Sequence, residues 1–154
     1  MFGATVPLDH GTYQQALQME TCRSIRYAHF FSVCHIGIDQ DDLTTEVPFC
    51  SVATIVRETI RETDLIGLTN GQTISILLLH ADIQSAYQIA ERIRSRIALQ
   101  TFVNERHPLK VTASIGGACF PTHGNDAQTL LLRADEMLAL AQRNGGNQTS
   151  VPDI

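Results

Sequence analysis

Arg61-Glu62-Thr63-Asp64 sets a guanidinium and a carboxylate three residues apart, a spacing that puts both on one side of a helix end. Of the eleven basic residues ten are arginine, and Lys110 is the only lysine. Arginine offers a planar fork for guanine edges and phosphates, whereas lysine is a point charge. The alternative for the tetrad is an exposed helix-end ion pair, worth about 0 to 1 kcal/mol. The net charge of −5 argues against a broad surface that tracks a nucleic-acid polymer, but is compatible with a small anion held by a few arginines. The six histidines form neither H-x-x-x-H nor H-E-x-x-H. Cys22, Cys34, Cys50 and Cys119 lack C-x-x-C spacing and read as small buried hydrophobes in a reducing compartment.

The elements that position these groups follow from periodicity. A helical repeat runs from Asp9, a candidate N-cap, to Tyr27. Phe30 to Ile38 reads as a buried strand, and the acidic QDDLTTEVPF that follows reads as a loop. A second helix is expected from Ser51 to about Glu62. DLIGL and TISILLL then flank Asn70-Gly71, the signal for a two-residue hairpin turn. Further helices are expected over Asp82 to Ala98 and Asp126 to Arg143, separated by a polar loop with Pro108 and a strand from Val111 to Phe120. In that strand Gly116-Gly117 reads as a bulge or a close backbone approach. The pattern is α+β, a central, mainly antiparallel sheet with helices packed on it, though it leaves several topologies open. Residues 1–8 are expected to be a lead-in, 9–147 one domain and 148–154 a tail. With neither a membrane-length apolar run nor a signal-peptide pattern, the expected place is the cytoplasm.

The R-x-x-D tetrad before a strand, turn and second strand is similar to the centre of a GGDEF domain, the diguanylate cyclase family. Three later stretches resemble the same family: VTASIG against V-T-x-S-I-G, ADEMLALAQ (134–142) against A-D-x-A-L-Y-x-A-K, and Gly145-Gly146-Asn147 against G-R-N. The resemblance spans about 9–147 and implies a palm-like βαββαβ fold. The five signature positions read Asn70-Gly71-Gln72-Thr73-Ile74. A cyclase of this family has a 3′-hydroxyl attack an α-phosphate of GTP, with metal ions on carboxylates neutralising charge on phosphoryl oxygens. The matching metal positions hold Gly37 and Thr73, with Gln72 replacing the turn's other acid; the phosphate lysine is Gln142 and the arginine Gly146. The F-K and N-D pairs of the substrate loop are absent, and the stretch before the tetrad is too short for their helix. The resemblance therefore implies no cyclase activity, no catalytic residue, no metal site and no cofactor; Asp39 reads as a loop or cap residue rather than a surrogate ligand.

In the family the tetrad is an allosteric site for the product, cyclic di-GMP. There the arginine fork meets guanine or phosphate, and the carboxylate accepts from guanine N1–H and its amine. The resemblance implies Arg61, Asp64, Arg92 and Arg23 as the ligand-binding set, with Arg23 reaching a partner's ligand; Gln88 and Ser85 depart from the pattern. Solvated faces remain the alternative for Arg92, beside Arg94 and Arg96, and for Arg23, beside Arg26. His35 reads as a satisfied core or edge residue. The expected function is a cyclic di-GMP receptor, responding to a bacterial second messenger, that dimerises or docks a partner signalling protein. The alternatives are a ligand-free interaction scaffold and a GTP-binding regulatory domain, and Gln142, Gly146 and the missing helix count against the second.

Overall fold

Asp9, Asp82 and Asp126 each lie in extended backbone before a helix and accept the amide three residues on, from Thr12, Ser85 and Thr129 at 2.8, 2.8 and 2.7 Å. These bonds meet otherwise free first-turn donors and hold the three carboxyls below the usual carboxylate range. They start α1 (His10–Tyr27), α3 (Ile83–Leu99) and α4 (Ala127–Arg143). The structure, a computed structural model, describes residues 7–39, 49–69, 73–104 and 107–153. Within them α2 covers Phe49–Thr59, and the strands are β1 (Phe31–Asp39), β2 (Leu65–Thr69), β3 (Thr73–Leu79), β4 (Phe102–Asn104), β5 (His107–Leu109), β6 (Thr112–Phe120) and β7 (Thr149–Ser150).

The main sheet has the order β2-β3-β1-β6-β7. Its contacts are antiparallel except for β6 with β7, which run parallel. β1 is central and buried from Phe31 to Gly37, which explains its nearly continuous apolar run. Alternation along the strands divides the core. Cys34, Ile36, Ile74, Ile76, Ala113 and Ile115 join the cluster under α2 and α3. Phe31, Val33, Leu77, Ala118 and Phe120 join the cluster that includes Tyr13 and Leu17 of α1 and Leu130 and Ala134 of α4. The sheet therefore carries one helix pair on each face, the α+β architecture expected.

Gly116 allows α4 to lie on β6: a Cβ there would sit 2.1 Å from the Leu138 nitrogen and 2.5 Å from the Ala134 oxygen, both backbone atoms. Of the two sequence readings of Gly116, close approach is the one that holds.

Several elements differ from expectation. The loop with Pro108 contains a hairpin, β4 with β5, in which Pro108 pairs with Val103; a two-stranded ribbon leaves edges where proline is tolerated. Residues 148–154, read as a tail, contribute β7, which pairs Thr149 with Ile115. At the other end Leu8 bridges Gly67. The β2–β3 register pairs Thr69 with Thr73, leaving three positions between the paired ends instead of the two of an Asn-Gly turn. Those positions, 70–72, and the acidic loop at 40–48 lie outside the described residues. Cys34 and Cys119 are buried, but Cys22 and Cys50 are exposed, which corrects the uniform reading of the cysteines. No helix among the described residues is long and apolar enough to cross a membrane.

Candidate functional site

α2 ends at Thr59, three residues earlier than its periodicity suggests, so the tetrad forms a turn after the helix. The Asp64 amide donates to the Arg61 carbonyl at 3.0 Å, and Arg57 Nη2 donates to the carbonyls of Arg61 and Asp64, both at 2.9 Å. The turn is thus tied back to the last turn of α2.

Asp64 is completely buried. Its Oδ1 accepts the Leu79 amide at 3.0 Å, and its Oδ2 accepts the Arg61 amide at 3.0 Å and Arg61 Nε at 3.4 Å. Arg61 Nη2 in turn donates to the Leu79 carbonyl. The pair therefore holds both polar backbone groups of the last residue of β3. The expectation of an exposed ion pair fails for Asp64, since the Arg61 side chain is 55% exposed and the Asp64 side chain 0%. A carboxylate so enclosed, with three donors already on it, presents no accepting edge at the surface; the group that presents itself is the Arg61 guanidinium.

Arg92 is exposed on α3, seven residues after Ser85 and four after Gln88, hence on one helix face with them. Among the described residues it makes no hydrogen bond, whereas its neighbours are occupied. Arg94 binds Glu91 through Nε and Nη2 at 2.8 and 3.0 Å and Asn147 through Nη1 at 2.9 Å. Arg96 reaches α2, donating to Glu58 at 2.7 Å and to Thr59 at 2.9 Å. Arg23 is exposed on α1, paired with the buried Glu20 at 3.4 Å. Of the four expected site residues, the structure joins Arg61 to Asp64 and sets Arg92 in the same helix layer as α2. It puts Arg23 in the layer on the other face of the sheet.

A second locus gathers the positions that the resemblance assigns to metal and phosphate. At Gly37 a Cβ would lie 3.0 Å from Gln142 Nε2 and 3.4 Å from Leu138 Cδ1. Asp39, the nearest acid along β1, accepts from Thr112 Oγ1 at 2.7 Å, Ser114 Oγ at 2.8 Å and the Asn147 amide at 2.9 Å. A Cβ on Gly146 would fall 3.0 Å from the Asp39 carboxyl. Among the described residues no three His, Cys, Asp or Glu side chains converge as a metal site would require. This donor set does not fit a divalent ion: Gly37 has no side chain, Thr73 offers a neutral oxygen, and Asp39 already carries three donors. Asp39 is the last residue of β1, paired with Thr112, and not the loop or cap residue read from the sequence; its carboxylate joins β1 to β6 and to the turn after α4. Nearby, the bonds from Arg94 hold the Glu91 carboxyl below the usual range, and Glu91 raises the Arg94 guanidinium in turn.

Sequence spacing gave no sign of two further pairings. His35, buried in β1, has Nδ1 2.5 Å from Asp135 Oδ1 on α4, so it is a core histidine with a partner 100 residues away. Ser75 Oγ donates to the buried Tyr13 hydroxyl at 2.6 Å. Burial raises the Tyr13 phenol above its ordinary pKa and pushes the Cys34 thiol up to about 12.

The family model described as diguanylate cyclase, GGDEF domain, matches residues 42–148. Over 106 residues the chain is 31% identical to the probable diguanylate cyclase DgcT of Escherichia coli, a match covering 68% of this chain and 24% of that protein. The chain spans about a quarter of the length of the curated relatives it matches first, 26% and 24%. The GGDEF domain of TpbB (YfiN) from Pseudomonas aeruginosa superposes with a TM-score of 0.88 at 20% identity, covering 99% of this chain and 94% of that one. The GGDEF domain of DgcB from Caulobacter crescentus, in complex with c-di-GMP, superposes with a TM-score of 0.85 at 15% identity, covering 98% and 92%. At these identities the superpositions show the fold.

Proposed function

Because this chain belongs to the diguanylate cyclase GGDEF family, we propose that it is a receptor for cyclic di-GMP without cyclase activity of its own. The dinucleotide binds at the Arg61–Asp64 turn, and the bound state is passed on by dimerisation or by docking of a partner signalling protein. The observation that carries this reading is the contrast between two loci in one domain. At the first, a half-exposed guanidinium is anchored by a buried acid. At the second, the family's acidic and basic positions hold Gly37, Thr73, Gln142 and Gly146.

Arg61 is the ligand contact, donating its free N–H groups to a phosphate or to guanine O6 and N7. Asp64 acts through Arg61, fixing the guanidinium before the ligand arrives, so that less freedom is lost on binding. Arg92 supplies a second charge from α3, and Arg23 a third from α1. Charge-assisted bonds of this kind contribute roughly 1.5 to 3 kcal/mol each, enough for two or three of them to decide affinity. That a structural neighbour, DgcB, is found with c-di-GMP supports the choice of ligand. Among the described residues at the second locus nothing replaces the carboxylates that would hold metal ions against GTP phosphates, so phosphoryl transfer lacks that electrostatic support there.

Calorimetric titration with cyclic di-GMP tests this reading, with GTP and magnesium in parallel. Micromolar or tighter binding of the dinucleotide, lost in Arg61→Ala, is expected, together with no dinucleotide product from GTP. Unchanged affinity in Arg61→Ala would refute the site, and product formation would refute the loss of chemistry.

One observation favours a second reading, a ligand-free interaction scaffold. Every bond of Asp64 is internal, so the tetrad has a structural use without any ligand. Silence toward cyclic di-GMP, with a partner complex that survives Arg61→Ala, is the outcome this reading requires.

A further inference from the structure

Arg61 reaches the end of β3, and the next residue there is His80. Arg61 Nη2 donates to the Leu79 carbonyl, which places the guanidinium at the Leu79–His80 peptide. His80 is exposed and holds a left-handed backbone, φ 56°. Its ring meets that of His29 edge to face, with centroids 5.0 Å apart and planes at 67°. His29 in turn lies beside Tyr27, with centroids 5.9 Å apart and planes at 33°. Tyr27 and His29 flank Ala28, whose left-handed conformation, φ 56°, ends α1 and redirects the chain; the His29 amide closes that end on the Ser24 carbonyl at 3.0 Å. Three rings from two distant segments thus adjoin in a row that begins at the residue after the carbonyl held by Arg61, and Tyr27, 59% exposed, shows much of its surface to solvent.

We propose that Tyr27, His29 and His80 form a stacking wall for a purine base of the dinucleotide bound at Arg61. This rests on the receptor reading above and adds a set of contacts that R-x-x-D does not contain. The chemistry fits a nucleotide better than a peptide. A base offers flat π faces to tilted rings, while its phosphate or its O6 and N7 edge takes the neighbouring guanidinium.

The test is titration of the whole chain with cyclic di-GMP, read by calorimetry and by the guanine H8 resonance. The variants are His80→Asn, which removes the ring yet tolerates the left-handed backbone, Tyr27→Ala, and Tyr27→Phe. Base stacking on an aromatic side chain corresponds to about tenfold or more in affinity. Both ring deletions are therefore expected to weaken binding by about that factor, with Tyr27→Phe close to the unmodified chain. An upfield shift of H8 in the complex should shrink in His80→Asn. Since His80 and Tyr27 are exposed, thermal midpoints without ligand should stay unchanged. If the unmodified chain binds and both ring deletions bind equally well with the same H8 shift, the stacking wall is wrong while the receptor reading stands. If the unmodified chain does not bind, both are wrong.

Discussion

The Asp64 carboxylate lies 3.0 Å from the Leu79 backbone nitrogen, fifteen residues away, and no part of Asp64 reaches solvent. Through that bond the turn after α2 is fastened to the end of β3. Arg61 completes the fastening on the Leu79 carbonyl, so a group proposed to bind ligand is set by the same bonds that join two elements of the fold.

Asp64→Ala should therefore be costly to stability, although a surface ion pair would be almost silent. Removing the acid leaves the Leu79 and Arg61 amides without their acceptor, and a buried donor left unpaired costs about 1 to 3 kcal/mol. Arg61→Ala leaves the buried carboxylate its two amide donors but no opposite charge, and should cost less than Asp64→Ala, though more than the about 0 to 1 kcal/mol of an exposed pair. Urea denaturation of the two variants checks this ordering. Equal midpoints would show that the Asp64 bonds contribute little, and alanine at position 64 would then serve as a clean binding probe.

Restoring the family's residues at the second locus should not restore chemistry. Gly146 has φ +73°, and a Cβ there would meet the Asp39 carboxyl at 3.0 Å, so Gly146→Arg combines backbone strain with disruption of the Asp39 bonds. A loss of about 1 kcal/mol or more in stability is expected for this change alone. Gly37→Asp should be milder, because the nearest atom to the new Cβ is the end of the flexible Gln142 side chain. A GTP turnover assay of Gly37→Asp/Thr73→Glu/Gly146→Arg should show no dinucleotide; measurable product would mean that the locus is more adaptable than its contacts imply.

His123 should make stability depend on pH below neutrality. Burial, with a smaller effect from Arg133, holds its pKa below the ordinary 6.5. Its Nδ1 accepts the Cys119 amide at 2.9 Å, a bond that protonation at Nδ1 would abolish. The unfolded chain therefore takes up the proton first. Stability is full above about 6.5 and is lost as pH falls through the lower folded value. Thermal midpoints measured from pH 7.5 to 5 should fall on acidification, and the fall should be shallower in His123→Gln. Parallel curves for the two proteins would remove His123 from the account.

Thiol labelling should divide the cysteines in two pairs. Cys22 and Cys50 are exposed and should react within minutes with a disulfide reagent. Cys34, its thiol pushed up to about 12 by burial, and Cys119, also raised by burial, should react only when the chain opens. Mass spectrometry of the native protein should find two modified residues, and of the denatured protein four. Rapid labelling of Cys34 would mean that the central strand is far less protected than its burial indicates.

Much of the fold is legible in local pattern. Asp9, Asp82 and Asp126 stand just before apolar residues repeated at helical spacing, and each proves to be an N-cap. The alternation in TISILLL assigns Ile74, Ile76 and Leu78 to one side of the sheet, where they pack. The β4–β5 ribbon was not legible, because Pro108 and flanking polar residues read as loop and a strand of three residues has no period to detect. Nor was β7, whose two residues carry no pattern and become a strand only by lying beside β6.

What the amino-acid sequence determined by itself is which residues sit at the two loci and which face of each element turns inward, since both follow from spacing within a few residues. What the tertiary structure decided is the use made of them. Asp64 turns away from solvent to hold Leu79. Asp39 gathers donors 73, 75 and 108 residues distant, and His29 meets His80, the residue after the carbonyl that Arg61 holds. These outcomes depend on strand order and register, which bring remote segments to hydrogen-bonding distance, and no local period encodes which remote donor a carboxylate will find.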